Sequence, residues 1–249
     1  MDLIREQGKR VEPDYALVAS ARMKRNMSTG MCHCCNGTFP KSSMMRHLKA
    51  CLSAQAKSAM TTPAGKPLKT FHLLVEGRYL PAYWLHLEVP AAANLERLDQ
   101  FLRRIWLECC GHMSAFKIAD QRYSISPIED PFFGRRELNM SEKLYKVLSP
   151  GLVLEHEYDF GTTTHLKLKV VAARERMDGS TDIVVLARNN ALPIVCESCG
   201  QSATQVCSSC IGNSQAWFCD KCAKGHECGE EMFLPVVNSP RVGMCGYTA

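Results

Sequence analysis

The residues most able to do chemistry are cysteines, 14 of them in a chain of 249. Most stand in pairs separated by two residues, the gap that lets both thiolates of one turn grip a single ion. Near the C-terminus, Cys196 and Cys199, Cys207 and Cys210, Cys219 and Cys222, and finally His226 and Cys228 supply eight donors, enough for two closed tetrahedral sites. Two wirings are open. Successive pairs can close on one ion each, or the first and third pairs can share one ion while the second and fourth share the other. The single residue between His226 and Cys228 is tight for closing back on Cys219 and Cys222, which favours the cross-braced arrangement. A third set lies near the N-terminus, where Cys32 and Cys35 form a pair and His47 and Cys51, four apart, share a helical face. These twelve donors form three sets of four and predict three Zn2+ ions per chain. Cys34 is a spare thiol beside Cys32, and Cys109 and Cys110 read as a buried helix terminus.

Closed four-donor sites are structural, because a catalytic zinc keeps a position open for water. A segment of about 35 residues cannot bury enough apolar surface to fold alone, whereas structural zinc supplies about 10–16 kcal/mol of apparent binding energy that becomes folding energy. The stretch MCHCCNGTFPKSSMMRHLKAC, with Phe39, Met44 and Leu48 as a small core, Gly37 for the turn and Ser42 or Ser43 as helix cap, resembles a ββα zinc finger with Cys-Cys-His-Cys ligands. The C-terminal donor string resembles MYND and B-box-like fingers, which implies a cross-braced module that binds protein partners. Its acidic residues Asp220, Glu227, Glu230 and Glu231 would repel phosphate.

Charge is divided unevenly. Residues 1–70 carry 12 Lys and Arg against 4 Asp and Glu, a surplus of +8 within a total of +5. A concentrated basic segment predicts contact with DNA or RNA, with Arg22, Lys24, Arg25, Lys41, Arg46 and Lys49 as phosphate contacts. No apolar run reaches the roughly 20 residues needed to cross a bilayer. The start, MDLIREQGKR, is charged throughout, so a cytoplasmic location without membrane attachment is expected.

Periodicity supplies the elements that must position these groups. Residues 1–60 read as a basic segment with one short helix, loosely sided by Tyr15, Val18 and Met23, followed by the finger at about 31–52; TTPAGKP opens a linker at 61–69. From residue 70 to 190 the pattern changes to strands. Leu85, Leu87 and Val89 alternate with Trp84, His86 and Glu88, the period of a half-buried strand, and FHLLV reads as its partner. Asn94 can cap a helix with Leu95, Leu98, Phe101, Leu102, Ile105 and Trp106 as its apolar stripe. LVLEHEYDF and THLKLKVV form a hairpin whose outer faces, Glu155, Glu157 and Asp159 against His165, Lys167 and Lys169, meet as a charge ladder. Residues 191–249 hold the two-zinc module and a tail, LPVVNSPRVGMCGYTA, too apolar to hang free. The fold class is α+β, an antiparallel or mixed sheet with one main helix, flanked by zinc-stabilised modules.

The strand carrying Trp84, the helix opened by PAAANLERLDQFL, and above all EHEYDFG at residues 155–161 resemble the plasmid pRiA4b ORF-3-like family, also met as a passenger protein of insertion elements. The resemblance covers roughly residues 70–175. It implies an α+β domain from plasmids or mobile elements, without an established reaction. Thr162, Thr163 and Thr164 stand where many members continue with an Asp and then a Trp. The combined expectation is a non-enzymatic zinc-binding interaction or scaffold protein. The alternative is an enzyme with its site around Asp159 and His165, since a carboxylate beside an imidazole is the minimum for acid-base work.

Overall fold

Alternating apolar and polar residues become a ten-stranded sheet in the computed structural model, which describes residues 28–59, 66–127, 129–130, 135–177, 180–212 and 215–249. The hairpin β1 (Thr29–Cys32) and β2 (Thr38–Pro40) leads into helix α1 (Lys41–Ala59), and then come β3 (Leu68–Gly77) and β4 (Trp84–Pro90). Helix α2 (Leu95–Leu102) runs on into a π-helical turn, Arg103–Leu107. Next are β5 (Ser114–Ile118), β6 (Gln121–Ser124), a two-residue ribbon of β7 (Glu129–Asp130) and β8 (Arg135–Arg136), and β9 (Leu138–Asn139). Helix α3 (Leu144–Val147) precedes the long hairpin β10 (Val153–Tyr158) and β11 (Thr164–Arg176), and β12 (Val184–Asn189) closes the region. A second, small sheet contains β13 (Gln205–Cys207), β14 (Trp217–Phe218) and β15 (Phe233–Pro235), with α4 (Asp220–Ala223) after β14. The helix expected within residues 1–27 lies outside the described residues. The expected linker is shorter at its end, because Leu68 and Lys69 already belong to β3.

The large sheet runs β2-β1-β12-β4-β3-β11-β10-β5-β6-β9, antiparallel at every pair except β6 with β9. This is the α+β class read from the sequence. One face carries the main core: Leu73 and Val75 of β3, Leu85, Leu87 and Val89 of β4, Leu166 and Leu168 of β11, and the stripe Leu95, Leu98, Leu102 and Trp106. Asn94 caps α2, its side-chain oxygen accepting from the Arg97 N–H at 3.0 Å. This fixes where the helix starts on the sheet.

Strand β4 differs from its half-buried expectation, because every one of its residues is buried. On its second face Trp84 lies under α1, His86 bonds His72, and Glu88 is enclosed by Thr70, Arg174 and Arg176. Trp84 packs in a separate cluster with Met44, Leu48 and Leu52 of α1, Cys32 of β1 and Leu186 of β12. The N-terminal hairpin is joined to the sheet as well, since β1 pairs with β12 from Gly30 opposite Asn189 to Cys32 opposite Ala187. The small finger core and the far face of the sheet are therefore one packed layer.

The C-terminal tail is held by both apolar and polar groups. Val242 is buried in the main core, and Met244 and Tyr247 are buried beside it. Asn238 exchanges hydrogen bonds with Asn189, donating to its backbone oxygen at 2.9 Å and accepting from its amide at 2.7 Å. Ser239 donates to the carbonyl of Trp106 at 2.6 Å. Among the described residues, no helix is long and apolar enough to cross a membrane.

Candidate metal centres

Folding brings Cys32, Cys35, His47 and Cys51 together, with their donor atoms all within 4.8 Å of one another. The first pair sits on the turn between β1 and β2. There the Cys32 N–H donates to Gly37 O at 2.9 Å, and the left-handed position is Asn36 (φ 59), not the glycine that the sequence suggested. His47 and Cys51 project from α1, one turn apart. The Cys35 Sγ lies 3.4 Å from His47 Nε2, and the His47 ring stacks on Phe39 with centroids 3.7 Å apart. Ser43 donates to the Pro40 carbonyl at 3.1 Å, a bond that joins the helix start to β2.

At the C-terminus the groups are Cys196, Cys199, Cys219 and Cys222, and separately Cys207, Cys210, His226 and Cys228. The first pair shares its point with the third and the second with the fourth, which is the cross-braced arrangement. Cys199 and Cys219 sulfurs are 3.7 Å apart; Cys210 Sγ is 3.7 Å from Cys228 Sγ and 3.4 Å from His226 Nε2. The rings of Phe218 and Phe233 pack against each other and against the His226 ring and orient the imidazole.

These spacings fit a tetrahedral ion. Zinc–sulfur bonds of about 2.3 Å place tetrahedral sulfurs about 3.8 Å apart, and a zinc–nitrogen bond of about 2.0–2.1 Å places nitrogen and sulfur about 3.5 Å apart. The electrostatics point the same way. Burial opposes ionisation of Cys196, but N–H groups of Cys219, Ser198 and Cys199 outweigh it and bring the thiol down to about 6. The Gly37 N–H lowers Cys35, and the Cys222 N–H lowers Cys219. Hydrogen bonds with Cys199 and Cys219 push Cys222 up to about 12, and burial and the neighbouring Cys32 push Cys51 up to about 11. The set with Cys35 and the set with Cys196 and Cys219 thus each hold thiols poised to ionise beside others that resist a further negative charge. A shared cation relieves that conflict.

Cys34 is left out of the first set. Burial and the nearby Cys32 and Cys51 push its thiol up to about 12. The sequence count of three sets is one short, however. A fourth gathers Cys109, Cys110, His112 and Cys245, again with donor atoms all within 4.8 Å of one another. Cys109 and Cys110 are therefore not simply a buried helix terminus, and Cys110 is exposed.

Of the expected phosphate contacts, Arg46 and Lys49 are exposed on α1, and Arg22, Lys24 and Arg25 lie outside the described residues. Lys41 is half-buried. It ion-pairs with Glu76 of β3 and donates to the carbonyl of Pro81, so it ties α1 to the sheet.

Asp159 and His165 are not brought into one site. Asp159 leaves the strand alternation with φ 64 and is buried, its Oδ2 accepting from Arg241 at 2.7 Å and its Oδ1 from the N–H groups of Gly161 and Thr162. Burial opposes its charge, and Arg241 with those two N–H groups holds its carboxyl below the ordinary value. His165 stays in the ladder opposite Glu157, 3.9 Å from its carboxylate, as Lys167 stands opposite Glu155. A buried pair unnoticed in the sequence lies between α2 and β10, where His156 Nε2 is 2.6 Å from Asp99 Oδ1 and neither side chain is exposed at all. Its one signal was position: Asp99 sits four residues after Leu95, on the apolar stripe.

No family model matches the sequence, and a search of curated proteins returns no significant match. Among solved structures, a protein of unknown function, MM3350 from Methanosarcina mazei Go1, aligns with a TM-score of 0.45 and 17% identity, over 55% of this chain and 77% of that chain. A likeness at that level carries no argument for either fold or function.

Proposed function

We propose that this chain is a non-enzymatic zinc-binding interaction protein, in which zinc fixes small modules to a rigid α+β sheet so that they present binding surfaces. The observation that carries this reading is the donor geometry. Three sets of four Cys and His ligands meet at tetrahedral spacing with no position left for water. Zn2+ in such sites crosslinks chain segments and supplies no reactive centre. The N-terminal finger offers the exposed Arg46 and Lys49, and the sequence of residues 1–27 carries further Lys and Arg, a charge pattern suited to nucleic-acid phosphates. The C-terminal module, net acidic, suits a protein partner. The resemblance of residues 70–175 to the pRiA4b ORF-3-like family agrees with a central α+β domain bearing such appendages and suggests an origin in plasmids or mobile elements.

The test begins with metal content and cobalt spectra of the full chain. Zinc is expected at no fewer than three equivalents, with thiolate-to-cobalt bands of tetrahedral sites after exchange. A Cys196→Ser chain should lose the site that contains Cys219 and Cys222 while keeping the one with His226. One equivalent or less in protein purified under reducing conditions would refute the reading. For the nucleic-acid part, an Arg46→Ala, Lys49→Ala chain should bind duplex DNA and RNA more weakly, and its log–log salt slope should fall by about 0.9 for each duplex-DNA phosphate contact removed. Unchanged affinity and slope would assign these residues to a solvated face.

A further inference from the structure

The fourth donor set joins two parts of the chain that are far apart in sequence. Cys109, Cys110 and His112 follow the π-helical turn, where Gly111 (φ 73) reverses the backbone so that two thiols and an imidazole face one point. Cys245 comes from the docked tail, 133 residues away, and its Sγ lies 3.2 Å from His112 Nε2. With this set counted, every cysteine but Cys34 belongs to a group of four donors.

The surroundings of the set are built as well. His112 turns its other nitrogen, Nδ1, toward Asp159 Oδ1 at 3.6 Å. The second oxygen of Asp159 holds Arg241, and Arg241 in turn donates to Cys109 Sγ at 3.3 Å. Arg241 is fully buried and also donates to the Thr164 hydroxyl at 3.0 Å. Metal-bound imidazoles characteristically place their second nitrogen against a carboxylate, which fixes the tautomer and raises ligand basicity. The guanidinium thus sets a charged hydrogen-bond donor on one ligand sulfur. A disulfide between any two of these thiols would leave the imidazole and its carboxylate without a purpose.

We infer that Cys109, Cys110, His112 and Cys245 form a fourth zinc site, a clasp that fastens the C-terminal tail to the exit of α2. This rests on the reading that the Cys and His sets of this chain take zinc. Binding replaces three thiol protons, which pass to solvent, with Zn2+. The other three sets each contain a buried cysteine, whereas here none is buried and Cys110 and Cys245 are exposed. Its ion is therefore the one most open to exchange with small chelators.

The experiment reads each cysteine separately. Zinc-loaded full-length protein is alkylated in the native state, with and without prior treatment with a limiting chelator, and labelled positions are identified by mass spectrometry. The expected result is four zinc equivalents, with Cys110 and Cys245 at least tenfold slower to react than after chelation, and released before any other set. Cys245→Ser should hold three equivalents, its tail still docked by Arg241, Val242 and Tyr247. Rapid labelling of Cys110 and Cys245 in the zinc-loaded protein, while the thiols of the other sets stay protected, would overturn the clasp alone. A disulfide involving Cys245 in that protein would also overturn it. Rapid labelling of every set would instead sink the zinc reading as a whole. Because the wild-type footprint decides the matter, a Cys245→Ser chain that failed to fold would not rescue the proposal.

Discussion

Replacing Asp99 by Ala should destabilise the central domain by about 1–3 kcal/mol, the usual cost of leaving a buried hydrogen-bonding group unsatisfied. Both side chains are at 0% exposure, and His156 Nδ1 has no hydrogen-bond partner, so losing the Asp99 oxygen 2.6 Å from Nε2 leaves the imidazole wholly unsatisfied. Burial opposes the charge on Asp99, and its hydrogen bond with His156 outweighs this and lowers its carboxyl from the ordinary value. That lowered value makes the contribution present above the unfolded value of about 3.9 and lost only as pH falls through the folded one. Measurement at pH 7.5 therefore sees it in full. The assay is urea unfolding at fixed zinc and reductant, followed by fluorescence of the fully buried Trp84 and Trp106. At about 1.4 kcal/mol per tenfold, the unfolding constant should rise roughly fivefold to somewhat over a hundredfold. Asp99→Asn, which keeps an acceptor oxygen, should cost less. Asp99→Ala combined with His156→Leu should cost less than the two single changes added together, because no charged or polar partner is then stranded. A loss below about 1 kcal/mol for Asp99→Ala, or strict additivity, would refute the reasoning.

Two further perturbations test how the finger and sheet are joined. Gly30→Ala places a methyl group where the backbone oxygen of Arg188 and the ring of Trp84 already stand, so β1 must shift from β12, at a cost of about 1–3 kcal/mol or more; red-shifted Trp84 emission and faster amide exchange at Met31 should follow, and an unchanged spectrum and stability would contradict the close packing. Burial drives His72 down to about 4, with Arg174 adding to it, and His86 down to about 3, with His72 and Lys41 adding to it. The unfolded chain therefore takes up these protons first, and stability falls from about pH 6.5 downward by up to about 1.4 kcal/mol per pH unit for each imidazole, levelling off only below the folded values. Nitrogen-15 spectra at pH 5.5 should show both rings neutral, and an imidazolium signature from either would exclude this.

What could be read from the sequence was set by separation along the chain. The finger and the two C-terminal sets have donors close in sequence or in a regular string, so spacing alone identifies them. The fourth set was visible only in part: Cys109, Cys110 and His112 put three donors in four residues, but the closing ligand, Cys245, is placed by tertiary packing of the tail. Alternation gave the strands of the long hairpin, including the Glu155 to Lys167 pair, yet it failed at Asp159, where a left-handed residue breaks the period and turns the carboxylate inward. It also misjudged β4, because polar residues on one face suggested water. There His72 and His86 instead bond each other at 2.9 Å, and Thr70 donates to Glu88 at 3.0 Å. Buried polar pairs of this kind look like surface until their partners are known.

The size of each part sets where a metal ion would matter beside apolar packing. The central sheet has strands of up to 13 residues and a core running from Phe71 to Val170, ample for folding without an ion. The β1–β2 hairpin has strands of 4 and 3 residues, and the C-terminal sheet strands of 3, 2 and 3. Strands so short gain little from their own pairing, so a tetrahedral ion would add a crosslink within each small module, beside the pairing of β1 with β12. The fourth set has a different task. Its ligands come from segments already packed in place, with Arg241 and Val242 buried just before Cys245, so an ion there would add little to folding. It would fix the last residues of a tail that Arg241, Val242 and Tyr247 already dock. An exposed site there is where a change in available zinc would be felt first.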